Sequence, residues 1–225
     1  MTFSLVARCS QTGMLGVAIA SSSICVASRC PWVRSGVGAS TTQNVTDPSL
    51  GNLMLNYLEE GLNVQEAIDK IIENNKFINY RQLSLIDAKG NSASFTGSKI
   101  LGRHAVSKGV DCIANGNLLS STNVINSMTD NFKKNSNVHF IERLLLALQA
   151  GVDSGGEEGP LHSTGIKVAH ENSWPLVDLR IDWTENNPVA ELIELWNTYK
   201  PQMEDYKSRA TNPDKAPSYG VPGDL

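Results

Sequence analysis

Hairpins alternate with pairs of amphipathic helices along this chain, and no other feature restricts the possible folds as tightly. In TFSLVAR, Phe3, Leu5 and Ala7 alternate with Ser4, Val6 and Arg8, the period-two pattern of a β-strand. SQTG turns the chain and MLGVAIAS returns, so residues 2–8 and 14–21 are predicted to pair as a hairpin. A second pair is expected over residues 24–28 and 33–41, where the glycines of SGVGAS allow close backbone approach. The period then changes. DPSLGNLMLNYLEEG places Leu50, Leu53, Met54, Tyr57 and Leu58 on one helical face, with Pro48 near the first turn and Gly61 past the end. Asn63 and Glu66 make a capping-box variant that opens NVQEAIDKII, whose apolar stripe is Val64, Ala67, Ile68, Ile71 and Ile72.

Strands return in RQLSLIDAKGNSASFTG, a hairpin turning near residues 89–91, and in DCIANGNLLS, which ends at a polar corner. Two helices are predicted near residues 122–133 and 140–150, the second stopped by Gly151. Strands near 163–168 and 176–182 follow, then a helix starting at Asn187 and Pro188. Hairpins imply antiparallel sheets, and paired helices between them need a sheet face to cover. The expected fold is α+β, a four-layer αββα sandwich of two antiparallel sheets; a two-layer α+β domain is the alternative. Residues 1–200 are read as one domain. Residues 201–225 are polar and contain four prolines. They are read as an extension packing on that domain or on a neighbouring subunit.

Composition narrows the function. The formal net charge of −4 offers no electrostatic footprint for nucleic acid. No stretch approaches the roughly 20 apolar residues needed to span a membrane, and the start lacks the pattern of a secretory signal. The chain is read as cytoplasmic. Cys9, Cys25, Cys30 and Cys112 form no C-x-x-C pair, and His104, His139, His162 and His170 are scattered. The thiols are read as structural and no metal site is expected. Neither G-x-G-x-x-G nor a P-loop pattern occurs, so no cofactor is expected. A small-molecule substrate and a homo-oligomer are the expected partners.

Thr2 has two readings. It is either a β-former opening the first strand or, once Met1 is removed, a residue carrying both a hydroxyl and a free amine. An α-amine has an ordinary pKa of about 7.7–8.0, so near neutrality it can take the proton of its own hydroxyl. Assistance of this kind is worth about 10²–10⁴ in rate. Retained Met1 abolishes it, because an amide nitrogen is not a base.

MTFSLVAR, followed in order by GVAIAS, PWVRSGVGASTTQN, RQLSLIDAKG, ANGNLL, RLLLALQAG, SGGE and VDLRID, resembles domain-of-unknown-function family 1028 from Thr2 to about Trp196. The resemblance implies an Ntn-hydrolase-like αββα fold and an N-terminal threonine, serine or cysteine as nucleophile, many such enzymes hydrolysing amides. On this basis Thr2 is the candidate nucleophile, in a hydrolase of small amides or related acyl compounds. Asn117, at a strand end, is the candidate oxyanion donor with Asn115 as its rival. Ser21 is placed to hydrogen-bond Thr2. Glu157 and His162 lie in a Gly-rich loop suited to substrate contacts. Related sequences carry Gly-Gly-Asp, basic residues and Gln-Ser there; here Glu157 keeps the acid, Glu158 adds another, and His162 replaces glutamine. Gln43 is a candidate pocket residue, and Arg180 a candidate carboxylate fork. Asp178 and Asp182 share a strand face with Arg180, so a salt-bridge ladder competes with that last role. Two further readings are a non-catalytic small-molecule-binding or assembly protein on the same scaffold, and a cysteine-dependent enzyme using Cys25 or Cys30.

Overall fold

In the computed structural model, which describes residues 2–221, the first hairpin is β1 (Thr2–Arg8) paired with β2 (Leu15–Ser21). Both strands are buried on both faces because each face meets a different layer. Phe3, Leu5, Ala7, Ala18 and Ala20 belong to a core beneath helices, whereas Val6, Leu15 and Val17 belong to a core between sheets. The second hairpin joins β3 (Pro31–Arg34) to β4 (Gly38–Asn44). It is extended by β5 (Arg81–Asp87) and β6 (Ser92–Thr96). The remaining strands are β7 (Ala105–Gly109), β8 (Cys112–Asn117), β9 (Ser163–Ala169) and β10 (Val177–Ile181). They complete a six-stranded sheet in the order β10-β9-β2-β1-β8-β7, facing a four-stranded sheet in the order β3-β4-β5-β6. Every pairing is antiparallel.

Helices form the outer layers. α1 (Ser49–Glu59) and α2 (Val64–Asn74) bury Leu50, Met54, Leu55, Ile68 and Ile71 against Leu83 and Leu85 of the smaller sheet. Asn63 caps α2 as predicted, accepting from the Gln65 and Glu66 N–H groups while Glu66 reaches back to the Asn63 N–H. α3 (Asn123–Lys134), α4 (Phe140–Asp153) and α5 (Pro188–Tyr199) cover the larger sheet with Met128, Phe132, Leu144, Leu148, Leu192 and Trp196. The fold is thus the expected four-layer αββα sandwich. Among the described residues, no helix is long and apolar enough to cross a membrane.

Some local expectations differ, and two elements were not foreseen. Residues 24–28 make no strand, and 33–41 is not one strand but spans the turn between β3 and β4: Cys25 takes the left-handed conformation at φ 54° and Val26–Ser28 form a 3-10 turn. Val26 is buried against Ile19 and Cys30, so its apolarity serves a loop closing the sandwich rather than a ladder. Gly151 does not end α4, which runs to Asp153. A Cβ there would lie 3.0 Å from the Phe3 ring and 3.1 Å from Met128, so the glycine permits close helix-to-sheet approach. β7 was not foreseen, because AVSKG is a partly exposed edge strand with little apolar pattern. Within the C-terminal stretch, Met203–Thr211 is a helix, α6. Met203 is buried, Tyr206 stacks on Tyr199, and Lys207 pairs with Glu171 at 2.8 Å.

Candidate active site

The space between the sheets is divided. Toward one end it is apolar, filled by Val6, Leu15, Val17, Ala39, Ile86 and Ile113. At the other end the same alternation places Thr2, Ser4, Ser21, Asn115 and Asn117 of the larger sheet opposite Gln43 and Gln82 of the smaller one. All of these are fully or almost fully buried. Burying so many polar groups costs free energy unless they are paired, which makes this half the candidate site.

Thr2 opens β1, the strand flanked by β2 and β8 in the larger sheet, and stands in register with Asn117 of β8. Its Oγ1 lies 3.3 Å from Ser21 Oγ, the last residue of β2, and Ser21 Oγ lies 3.0 Å from Ser23 Oγ. The Ser23 N–H also donates to Ser21 Oγ at 3.0 Å. The Met1–Thr2 bond, on which the nucleophile reading turns, lies outside the described residues. Beside this cluster the loop after α4 is folded by two glycines in the left-handed region, Gly155 at φ 107° and Gly156 at φ 55°. It is pinned to the end of β8 by Ser120 N–H to Gly156 O and Glu158 N–H to Leu118 O, both 3.0 Å. This brings Glu157 Oε2 to within 3.2 Å of the Ser22 N–H. Glu157 Oε1 is buried with no partner among the described residues. Burial pushes the Glu157 carboxyl up to about 7, against the pull of the positive chain terminus and of Ser22. It therefore titrates near neutrality, where it can hold or release a proton.

The amides form a directed network. Gln82 Nε2 donates to the Gly116 carbonyl at 3.1 Å, so its Oε1 faces Gln43 Nε2 at 2.9 Å and Asn117 Nδ2 at 3.3 Å. With Gln43 so fixed, its Oε1 accepts from Ser4 Oγ at 2.8 Å. Asn115 Oδ1 also stands 2.8 Å from Ser4 Oγ while its Nδ2 has no partner among the described residues. One hydroxyl carries one proton and cannot serve two carbonyl oxygens. Turning the Asn115 amide so that its NH₂ donates to Ser4 resolves this, and a backbone carbonyl then sets the polarity of the whole row. Asn117 keeps one N–H on Gln82 and carries a second.

Of the sequence candidates, Thr2, Ser21, Asn117 and Glu157 gather at one end of the larger sheet, and Gln43 joins them through Gln82. His162 is adjacent: its N–H donates to the Ser21 carbonyl at 2.9 Å, and its ring stacks on Trp183 at 4.2 Å. Arg180 is held elsewhere, on the edge strand β10, where its fork takes Asp178 at 2.8 Å through both Nε and Nη2. Despite burial, the Arg180 fork and Lys167 keep the Asp178 carboxyl below the ordinary range. The fork is occupied by Asp178 rather than open, and among the described residues no ion pair joins it to Asp182. Burial raises the Cys30 thiol to about 11, which leaves it an unreactive nucleophile. Among the described residues no three His, Cys, Asp or Glu side chains gather as metal ligands. Ser4 and Gln82 were missed; the available signal was polar residues at alternate positions in otherwise apolar strands, TFSLVAR and RQLSLID.

The protein SPO2555 from Silicibacter pomeroyi has a similar structure, with a TM-score of 0.82, 32% identity, and coverage of 88% of this chain and 89% of that one. The ancestral β-subunit Anbu from Yersinia bercovieri is loosely similar, with a TM-score of 0.39 and 13% identity over 91% of this chain and 97% of that one. Anbu from Hyphomicrobium sp. strain MC1 gives a TM-score of 0.39 and 10% identity over 97% of this chain and 100% of that one. No curated protein matches the chain. Residues 2–192 match the model of a family of unknown function, DUF1028, and the chain belongs to that family.

Proposed function

We propose that the protein is an Ntn-type amidohydrolase acting on the C–N bond of a small amide or related acyl compound, with Thr2 as nucleophile after removal of Met1. The observation that carries this reading is the position of Thr2. It opens a strand inside the larger sheet, with its Oγ1 3.3 Å from Ser21 Oγ and Asn117 in register beside it. Thr2 Oγ1 attacks the substrate carbonyl while its proton passes to the α-amine. The amine then protonates the departing nitrogen, leaving an acyl ester on Thr2 that water cleaves to regenerate the hydroxyl. The second N–H of Asn117 is the group to receive the developing oxyanion.

The test is chemical. Untagged protein is checked for loss of Met1 by intact mass, then treated with an acyl-transferring probe alongside the Thr2→Ala variant. Covalent labelling confined to Thr2 and lost in the variant supports the proposal. Retained Met1, or equal labelling of both proteins, defeats it. One observation favours a non-catalytic binding protein on the same scaffold: Thr2 is only 4% exposed. Under that reading the probe does not reach Thr2 at all.

A further inference from the structure

Thr2 is almost fully buried, and Ser4, Gln43, Gln82, Asn115 and Asn117 beside it are fully buried. A substrate reaches them only if a covering segment moves. The strands that meet there end alike. Gln43 of β4 is followed by Asn44 at φ 74°, and Asn117 of β8 by Leu118 at φ 51°. The left-handed region is a familiar place for asparagine, whereas a leucine there is strained. One segment is bonded to both residues. It is the strap of residues 97–104, which carries the chain from β6 in the smaller sheet to β7 in the larger. The Leu101 N–H donates to Asn44 Oδ1 at 3.2 Å, and the Leu118 N–H donates to the Leu101 carbonyl at 3.1 Å. Leu101 therefore crosses between the sheet ends directly beyond Gln43 and Asn117.

The strap is fastened by hydrogen bonds more than by packing. Ser98, Lys99 and residues 101–104 are exposed, Leu101 by 52%. Its base is firm: the Gly97 N–H donates to the Arg81 carbonyl at 3.0 Å and the Lys99 N–H to the Asn79 carbonyl at 2.9 Å. At the far end the Leu119 N–H donates to the Arg103 carbonyl at 2.9 Å, and Arg103 Nη1 donates to the Leu119 and Ser120 carbonyls. Between these ends the Asn44 side chain is a latch. Its Oδ1 holds Leu101, while its Nδ2 donates to the Tyr80 carbonyl at 2.9 Å, just before β5. A segment with few buried apolar contacts and exposed hydrogen bonds belongs to the low-stability end of a fold and opens without global unfolding. Breaking the Leu101 bond also lets Leu118 relax, which offsets part of the cost of opening.

We propose that residues 98–103 form a gate over the polar site between the sheets, latched by the Asn44 side chain and opening to admit the ligand. The ligand it admits is the amide that Thr2 attacks, so its purpose rests on the hydrolase reading. Opening lets the amide in and the departing amine out, and closing holds the amide against Thr2 and Asn117.

Gating is tested on the untagged full chain with iodoacetamide, read by mass spectrometry of the alkylated peptides. Ser4→Cys places a thiol inside the closed site, and the native Cys112, buried in the core beneath the helices, reports global unfolding. The Ser4→Cys thiol is expected to react roughly tenfold or more faster than Cys112. Asn44→Gly suits the positive φ and removes both latch bonds, and should speed the Ser4→Cys thiol roughly tenfold further. Asn187→Ala loosens the cap of α5, which packs on β9 and β10 at the opposite edge of the larger sheet. It should speed Cys112 and leave the Ser4→Cys thiol unmoved. Hydrogen exchange of the wild type, which needs no reporter to fold, should show the Leu101 and Leu118 amides opening faster than those within β1. Equal rates for the Ser4→Cys thiol and Cys112, a Ser4→Cys rate unmoved by Asn44→Gly, or Leu101 and Leu118 amides as slow as those of β1 overturns the gate. Acyl-probe labelling of Thr2 with any of those results refutes the gate alone. Gated alkylation without Thr2 labelling supports the gate and refutes the hydrolase.

Discussion

Glu157→Gln should stabilise the protein in alkaline solution and change it little in acid. The carboxyl rises from an ordinary 4.5 to about 7 in the folded protein, chiefly through burial. Each pKa unit is worth 1.36 kcal/mol, so the ionised folded form is disfavoured by about 3 kcal/mol. The sign follows from proton counting. Between pH 4.5 and about 7 the unfolded chain has already lost this proton while the folded chain keeps it, so stability falls as pH rises. Below pH 4.5 both states are protonated and the penalty is absent; above about pH 7 it is fully present. Glutamine is nearly the same shape, keeps an acceptor for the Ser22 N–H, and never ionises. Urea unfolding of both proteins from pH 4 to 9 reads the difference. The variant should gain on the wild type through the 4.5–7 window, reaching about 3 kcal/mol. For a chain of this size that is a Tm higher by about 6–12 °C at pH 9. A difference that stays flat with pH, or a wild type that gains on the variant as pH rises, refutes the reasoning.

Three other outcomes are expected. Gly51→Ala should destabilise by about 1–3 kcal/mol although alanine is the better helix former, because its Cβ would fall 1.9 Å from Trp32 Cδ1; a raised urea midpoint would sink this. Asn187→Ala, which removes the cap on the Val189 and Ala190 N–H groups of α5, should cost about 1 kcal/mol by the same measurement. An unchanged midpoint would show the cap to be idle. Gln82→Leu strands the Gly116 carbonyl, Gln43 Nε2 and Asn117 Nδ2, at about 1–3 kcal/mol for each buried group left unpaired. Chemical unfolding should show a loss of several kcal/mol, and a loss below 1 kcal/mol would contradict the network.

Hydrophobic period and caps were enough to read most of the architecture. TFSLVAR, RQLSLID and the stripes of α1 and α2 carry their periods locally, so the αββα layering was legible. The misplacements came where a residue's role is set by what it packs against rather than by its own pattern. Gly151 reads as a helix stop until Phe3 and Met128 are seen against it, and residues 24–28 read as a strand until Val26 is found packing on Ile19. Thr2 and Ser21 could be nominated from strand ends because their hairpin register is a local property, and Asn117 because it closes a strand, although its register with Thr2 is a long-range pairing. Other facts are set by packing between segments 34 to 40 residues apart. Docking of the 155–159 loop on the end of β8 leaves Glu157 buried with an unsatisfied oxygen, and meeting of the two sheets joins Ser4 to Gln43 and Gln82 to Gly116. The chain by itself determined which residues alternate, cap and turn. Only the tertiary structure decided which buried polar groups found partners, because desolvation and hydrogen-bond geometry exist only once the layers have closed.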